Sequence, residues 1–219
     1  MASENYENYL KSIYTIEADK GTVSTSLLSD RLKISAASAT EMIKKLAEAG
    51  LITHKPYRGV RLTEAGKKKA LQIVRRHRLW ELFLVEVLKY DWEEIHDEAE
   101  RLEHAVSEQL IDRIDEMLGR PEVDPHGDPI PNAEGTISHK KYLDLLTAPL
   151  DTELVIARVI DQDSEFLRFI EQRDLMPGSA IVIESRDPLA DAVRVRSDAE
   201  RSTTIGTRAA SKVLVRLAD

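Results

Sequence analysis

Apolar residues return every three or four positions through Tyr6, Tyr9, Leu10, Ile13 and Tyr14, spacing that lays one stripe of a helix against a core. This predicts a helix over about residues 4–18, ended by Gly21. Ser24 or Thr25 can cap a short second helix carrying Leu27, Leu28 and Leu32. Ser35 can cap a third carrying Ala39, Met42, Ile43 and Leu46, stopped by Gly50. Leu51 to His54 and Gly59 to Leu62 then read as two short strands, with Lys55 to Arg58 as the turn. Thr63 opens a long helix from Glu64 to Lys89 with Leu71, Val74, Leu79, Leu82 and Phe83 on its inner side. A further helix is predicted from Trp92 to Leu118, its apolar side formed by Ile95, Ala99, Leu102, Val106 and Leu110. Five Pro and Gly residues between Pro121 and Pro131 break regular structure, and Asn132 to Ser138 reads as a boundary. Beyond it, segments at Leu154–Val159, Ala180–Glu184, Ala192–Val195 and Lys212–Leu217, with one short helix at Ser164–Glu171, predict a small β domain. The fold class is therefore mainly α with a small β domain.

Three helices followed by a hairpin form a winged helix-turn-helix, in which the third helix enters the major groove of DNA and the hairpin follows the phosphates. Ser35, Ala37, Ser38, Thr40 and Glu41 occupy the open start of that helix, small or polar side chains that allow close approach to base edges. Lys44, Lys45, Lys55 and Arg58 add positive charge around it. The plainer alternative makes Ser35 only a cap and the lysines only a solvated face. Charge decides how far to take the first reading. The 219 residues carry a net −8, yet residues 1–75 hold 13 basic against 8 acidic side chains and residues 76–135 hold 6 against 17. A basic head suits phosphates and an acidic middle suits cations. With no cysteine, disulfides and thiolate chemistry are excluded, and any metal site must use imidazole and carboxylate. No apolar run approaches the roughly 18 residues of a membrane span and the start lacks a signal-peptide profile, so a cytoplasmic protein without a membrane partner is expected.

The candidate chemistry is concentrated in the acidic middle. His77 and Glu81 lie one helical turn apart, and His96, Glu100, Glu103 and His104 fall in one sector bordering the predicted apolar stripe. Three of the six histidines lie within residues 77–104, which favours a metal site over a charged helix that merely faces water.

Four strings carry a resemblance: Glu7-Asn8-Tyr9-Leu10, Arg76-His77-Arg78-Leu79, the run His96 to His104, and Pro125-His126-Gly127-Asp128-Pro129-Ile130-Pro131. Together they resemble the diphtheria toxin repressor family, including its manganese-responsive branch, strongly over residues 3–131 and in outline beyond. The resemblance implies a winged helix-turn-helix over residues 1–75, a helical metal-binding and dimerisation domain over 76–135, and an SH3-like (FeoA-like) barrel over 150–219. It implies one metal site from Asn8, Glu100, Glu103 and His104, and a second from His77, Glu81, His126 and either Asp161 or Asp163. His96 resembles a ligand of the iron-responsive branch, and Asp124, standing where some relatives have cysteine, can serve as an oxygen ligand. Glu100 follows the manganese branch, where iron-responsive members carry cysteine; Asn8 departs from it, replacing an aspartate with a neutral amide.

The expected function is a repressor of metal-uptake genes, binding operator double-stranded DNA as a homodimer when activated by Mn(II). An Fe(II)-responsive regulator is the alternative, with Co, Ni, Cd and Zn as further candidate ions. A metallohydrolase is disfavoured by the lack of a His-Glu-x-x-His helix or Asp-rich loop, so no enzyme activity is expected. A winged-helix regulator of a small organic ligand is the remaining rival. Operator affinity is expected to fall steeply between about 50 and 200 mM salt, and Lys45→Ala or Arg58→Ala should each lower the slope of log affinity against log salt by about 1. Fluorescence anisotropy across a salt series measures it, and a salt-independent complex would contradict the basic head as the DNA-binding part.

Overall fold

The computed structural model describes residues 2–55, 59–138, 140–197 and 201–218. It divides into two compact units. The first gathers Met1–His77, Glu100–Arg113 and Pro131–Ile137. It begins with α1 (Ala2–Lys20), α2 (Thr25–Leu32) and α3 (Ala36–Glu48), followed by β1 (Ile52–Lys55) and β2 (Gly59–Leu62), and it takes the first half of α4 (Glu64–Glu86). Tyr9, Leu10, Ile13 and Ile16 of α1 meet Leu28, Ile43, Leu46, Ile52 and Val60 in one buried core, as the three-and-four spacing requires. The predicted caps form: Ser24 Oγ accepts from Leu27 N, and Ser35 Oγ from Ser38 N, each at 3.1 Å. Thr63 does both jobs at the next junction, accepting from Gly66 N at 3.1 Å and donating to Gly50 O at 2.8 Å. The hairpin is held close to the chain before α2, since Val60 N donates to Val23 O at 2.8 Å.

One predicted element is two. The expected helix from Trp92 to Leu118 forms as α5 (Ile95–Leu102) and α6 (Glu108–Met117). Ser107 offers its own carbonyl and hydroxyl to the amide of Leu110, and its carbonyl to that of Ile111, which starts a new helix in place of continuing the old one. The break resets the helical phase. Leu110, expected on the apolar stripe, is 47% exposed, while Ile111 and Ile114 are buried instead.

The second unit comprises Arg78–Ala99, Ile114–Ile130 and Ser138–Asp219. Its sheet contains β3 (Leu143–Asp144), β4 (Glu153–Val159), β5 (Ala180–Asp187), β6 (Ala192–Ser197), β7 (Ser202–Gly206) and β8 (Val213–Leu217), in the order β3-β8-β4-β5-β6-β7. Neighbours run antiparallel, with register shifts at Ile156/Arg158 and Ile183/Ser185 that bend the strands. The helices α7 (Ser164–Glu171) and α8 (Thr207–Ala210) connect strands, α7 burying Leu167 and Ile170. The strands β3 and β7 escape the sequence reading for a simple reason. Both are edge strands, β3 with two residues and β7 with Ile205 as its one buried aliphatic, so neither shows a period-two pattern.

The loop from Asp124 to Asp128 is pressed against β4. Val159 N donates to His126 O at 2.8 Å, and Gly127 has a φ of +82° with any added Cβ 2.0 Å from Ala157 O. Among the described residues no helix is long and apolar enough to cross a membrane.

Gly127→Ala adds a backbone clash to an unfavourable φ, and is expected to cost about 2 kcal/mol or more, lowering Tm by roughly 4–8 °C. Gly50→Ala shares the positive φ but has open space around it, so about half that loss is expected. Thermal melts of the two variants check the difference; equal shifts would remove the close approach to β4 as the cause.

Candidate metal centres

In the first unit, α1, the end of the unit's share of α4, and the turn after α5 bring charged groups together. Glu103, just past α5, has a fully buried side chain and divides its carboxylate between two neighbourhoods. One oxygen, Oε2, lies 2.6 Å from His77 Nδ1 and accepts from Lys11 Nζ at 2.8 Å. Lys11 Nζ also donates to Glu100 Oε1 at 2.5 Å and sits 3.1 Å from His77 Nδ1. The other oxygen, Oε1, lies 3.3 Å from His104 Nε2, and neither atom makes a hydrogen bond. His104 presents its remaining nitrogen, Nδ1, to Glu7 Oε2 at 2.6 Å, and Arg76 holds the second oxygen of Glu7 at 2.9 Å. Asn8 Oδ1 is buried without a hydrogen-bond partner.

This arrangement corrects one expectation about the helix face. Glu103 and His104 do not continue the helical sector of His96 and Glu100 beside the apolar stripe; α5 stops at Leu102 and both lie in the turn after it, Glu103 fully buried. Glu7, Lys11 and Arg76 escaped the sequence reading. Glu7 and Lys11 are four apart on α1, so a shared face with Asn8 beside it was the available signal.

The second unit holds a separate group. Ligand atoms of Glu81, Asp124 and His126 lie within 4.8 Å of one another, and all three residues are buried. His126 Nδ1 stands 3.8 Å from Glu81 Oε2, too far for a hydrogen bond, and neither ring nitrogen of His126 has a hydrogen-bond partner. The ring is stacked on Trp92 at 5.2 Å between centroids. Asp124 Oδ1 accepts from the backbone of both His126 and Asp128 at 2.9 Å, which shapes the loop, while Oδ2 makes no hydrogen bond and lies 3.4 Å from Arg78 Nε. His96 Nδ1 is 3.2 Å from Glu81 Oε1.

Burial and the neighbouring carboxylates of Glu81 and Asp128 push the Asp124 carboxyl up to about 7, against the pull of Arg78 and His126. For His126, burial alone lowers the pKa, but Glu81, Asp124 and Asp128 together outweigh it and the net direction is up. Two carboxylates and an imidazole, with both His126 ring nitrogens and Asp124 Oδ2 buried without a hydrogen bond, are a donor set that suits a divalent cation.

Of His77 and Glu81, expected to share a site, His77 lies beside Lys11, Glu100 and Glu103, and Glu81 beside His96, Asp124 and His126. One turn of α4 is enough to give them different neighbours. The two acidic candidates of the β domain have local partners. Asp161 pairs with Lys212, which lowers its pKa against the effect of burial, and Asp163 caps α7 by accepting from the amides of Glu165 and Phe166.

On α3, Ser35, Ala37, Ser38, Thr40, Glu41, Lys44 and Lys45 are all exposed, opposite the buried Ala39, Ile43 and Leu46, and Lys55 is exposed at the end of β1. Arg58 lies outside the described residues. Glu41 and Lys45 are paired at 2.6 Å along the exposed helix, which lowers the pKa of Glu41 and raises that of Lys45.

Comparison with known proteins agrees across the whole chain. Residues 1–60 match the family described as the iron dependent repressor, N-terminal DNA binding domain. Residues 63–132 match the iron dependent repressor, metal binding and dimerisation domain, and residues 143–217 match the FeoA domain. The chain is 26% identical to the iron-dependent repressor IdeR of Mycobacterium leprae over 191 residues, 82% of this chain and 83% of that one. It is 34% identical to the transcriptional regulator MntR of Lysinibacillus sphaericus over 125 residues, 57% of this chain and 89% of that one. A solved structure described as a manganese-dependent transcriptional repressor in complex with manganese is 40% identical, with a TM-score of 0.86 over 97% of this chain and 100% of the other.

Asp124 generates a pH prediction for the metal-free protein. Its folded pKa, about 7, stands above the ordinary value of 3.8, so the native state holds the extra proton between those limits. Stability therefore falls as pH rises through about 7, and His126, also raised, acts in the same direction. Asp124→Asn keeps an oxygen for the two backbone donors and cannot ionise. In chelator it should raise Tm at pH 8 by roughly 4–8 °C, on the order of 2 kcal/mol, and have little effect at pH 5. A shift equal at both pH values would show that Asp124 does not titrate in this range.

Proposed function

This chain belongs to the family of iron- and manganese-dependent repressors, transcriptional regulators rather than enzymes, and from that premise we propose that it is a Mn(II)-activated repressor. It binds operator DNA as a homodimer, in the cytoplasm, through the exposed face of α3 and the β1–β2 wing. The division proposed is a reading head over residues 1–75, a metal-binding and dimerisation part over 76–135 and a FeoA-like part over 150–219. The observation that carries the metal reading is His126, a buried imidazole with two unpartnered nitrogens beside the buried carboxylates of Glu81 and Asp124.

Two sets of ligands are proposed. Asn8, Glu100, Glu103 and His104 hold a cation in the first unit; Glu81, Asp124 and His126 hold one in the second, with His96 beside Glu81. Asp161 and Asp163 are left to their local partners. A divalent cation in either place supplies the positive charge that buried carboxylates lack and links the segments that carry them.

The first set has a direct route to the DNA-reading surface. The helix α1 carries Asn8 on one side and packs Tyr9, Leu10 and Ile13 into the core that supports α3 and the wing. Fixing α1 against the turn at Glu103 and His104 therefore biases the position of the reading head within its own unit. Two such heads related by a dimer axis would address half-sites about 34 Å apart, or a multiple of one DNA turn.

Manganese is favoured over iron by the donors: oxygen and imidazole throughout, with no thiolate in the chain. Raw affinity does not supply the choice, because Mn(II) stands at the weak end of the divalent series. Geometry and the effect of each ion on α1 must supply it.

Anaerobic fluorescence anisotropy on the chain's own metal-transporter promoters is expected to show operator binding activated by Mn(II) at least as fully as by Fe(II). Glu103→Gln and His126→Ala should each weaken Mn(II) activation about tenfold or more. Glu100→Cys should move the response toward Fe(II) or Co(II). Activation by Fe(II) with none by Mn(II) in the unaltered protein would overturn the manganese assignment.

A further inference from the structure

The strand β7 ends the six-stranded sheet, and among the described residues no strand lies beyond it. Its register with β6 pairs Arg196 with Ser202, Val195 with Thr203, Arg194 with Thr204 and Val193 with Ile205. One row further along, Ser197 N donates to Arg201 O at 3.1 Å, which puts Val195–Thr203 and Val193–Ile205 among the pairs that exchange hydrogen bonds. The backbone N–H and C=O of Ser202 and Thr204 therefore point the other way, to the open edge. That edge lacks the usual protection: the strand from Ser202 to Gly206 holds no proline and no charged side chain, and its register with β6 shows no bulge.

Cross-strand partners share a face, so Arg194, Arg196, Ser202 and Thr204 stand on one side of the sheet, opposite the buried Val193, Val195 and Ile205. Glu184 of β5 joins them. It accepts from Arg194 Nε at 2.9 Å and from Ser202 Oγ at 3.0 Å, and lies 3.3 Å from Arg196 Nε. One carboxylate thus holds two guanidiniums in place, which leaves a surplus of positive charge, and the two arginine side chains are still 58% and 42% exposed. Ser202 and Thr204 are short, so the arginines can reach over them toward a group beyond the edge.

We propose that the edge of β7 is a docking site for an extended acidic segment of a partner protein, which adds to the sheet as a further strand. A strand paired beside β7, about 4.8 Å away, sets the residues opposite Ser202 and Thr204 on the arginine face, with one residue between them. Carboxylates at those alternate positions meet Arg194 and Arg196, while backbone bonds to Ser202 and Thr204 fix the register. The same features select among occupants. A second copy of β7 would bring two more arginines to the same face, so self-pairing is opposed. Duplex DNA answers the edge only in part, because phosphates accept from N–H groups but have no donor for the two carbonyls. None of the residues in the two proposed metal sets contributes to this surface, so its occupation is a separate property of the chain.

Fluorescence anisotropy on the full-length protein tests this with a short dye-labelled peptide in which glutamate alternates with valine. One control peptide carries lysine in place of glutamate, another carries the same residues as a glutamate block and a valine block, and a non-operator duplex is the DNA probe. The alternating acidic peptide is expected to bind at least about tenfold more tightly than either control peptide, and to slow hydrogen exchange at the Ser202 and Thr204 amides. Thr204→Pro removes an outward N–H and no ladder bond, so a variant with an unchanged thermal melt should bind the peptide about tenfold more weakly or worse. The double variant Arg194→Ala, Arg196→Ala leaves the edge intact and should lose the preference for glutamate over lysine; it decides the matter if the proline variant fails to fold. Equal binding of the acidic and lysine peptides, or binding unaffected by Thr204→Pro in a folded variant, would overturn the proposal. So would a duplex that binds through Arg194 and Arg196 when the peptide does not, which would make the face a DNA contact.

Discussion

A carboxylate that is fully buried must find positive charge, and Glu103 is the residue on which that constraint falls most heavily. Leaving one ionised oxygen unmatched inside a protein costs several kcal/mol, so the surroundings have to be arranged around it. Lys11 comes from α1 and His77 from α4 to one oxygen, while the other faces His104. Stopping α5 at Leu102 is what permits this, since a continued helix would carry Glu103 along its surface. The meeting of α1, α4 and the turn after α5 thus centres on one buried charge. The helix α1 supplies both the lysine and core residues that pack beneath α3.

The second unit solves a similar problem with a loop. Asp124 spends one oxygen on the amides of His126 and Asp128, which curls the chain so that Asp124 and His126 face Glu81. Gly127 lets that curl press on β4, and Trp92 covers the imidazole. Three acidic groups and one histidine then share a space that water does not reach. The pKa values of Asp124 and His126 rise because a proton compensates negative charge when no cation is bound. A group held in that state releases its proton when a cation arrives, which couples occupancy to stability. The exposed face of α3 is the opposite case: Ser35, Ser38 and Thr40 bond locally and Glu41 pairs with Lys45, so its polar groups are compensated within the helix.

What could be read from the sequence alone is what depends on neighbours in the chain. The three-and-four spacing in α1 and α3, the caps at Ser24, Ser35 and Thr63, and the period-two runs of β4, β5, β6 and β8 are local signals, and each is realised. The candidates of the acidic middle, and the four strings that marked the family, were legible for the same reason: residue type and spacing carry them. Tertiary structure decided the rest. Ser107 competes with helix continuation through bonds that no periodicity records, so the break before α6 and the burial of Ile111 in place of Leu110 were hidden. The edge strands β3 and β7 exist through pairing with β8 and β6, not through their own composition. The arrival of Lys11 and Glu7 beside residues about 70 to 100 positions away in the chain depends on which surfaces pack. Packing is a property of the whole chain, because the cost of burying a charge is set by everything that surrounds it.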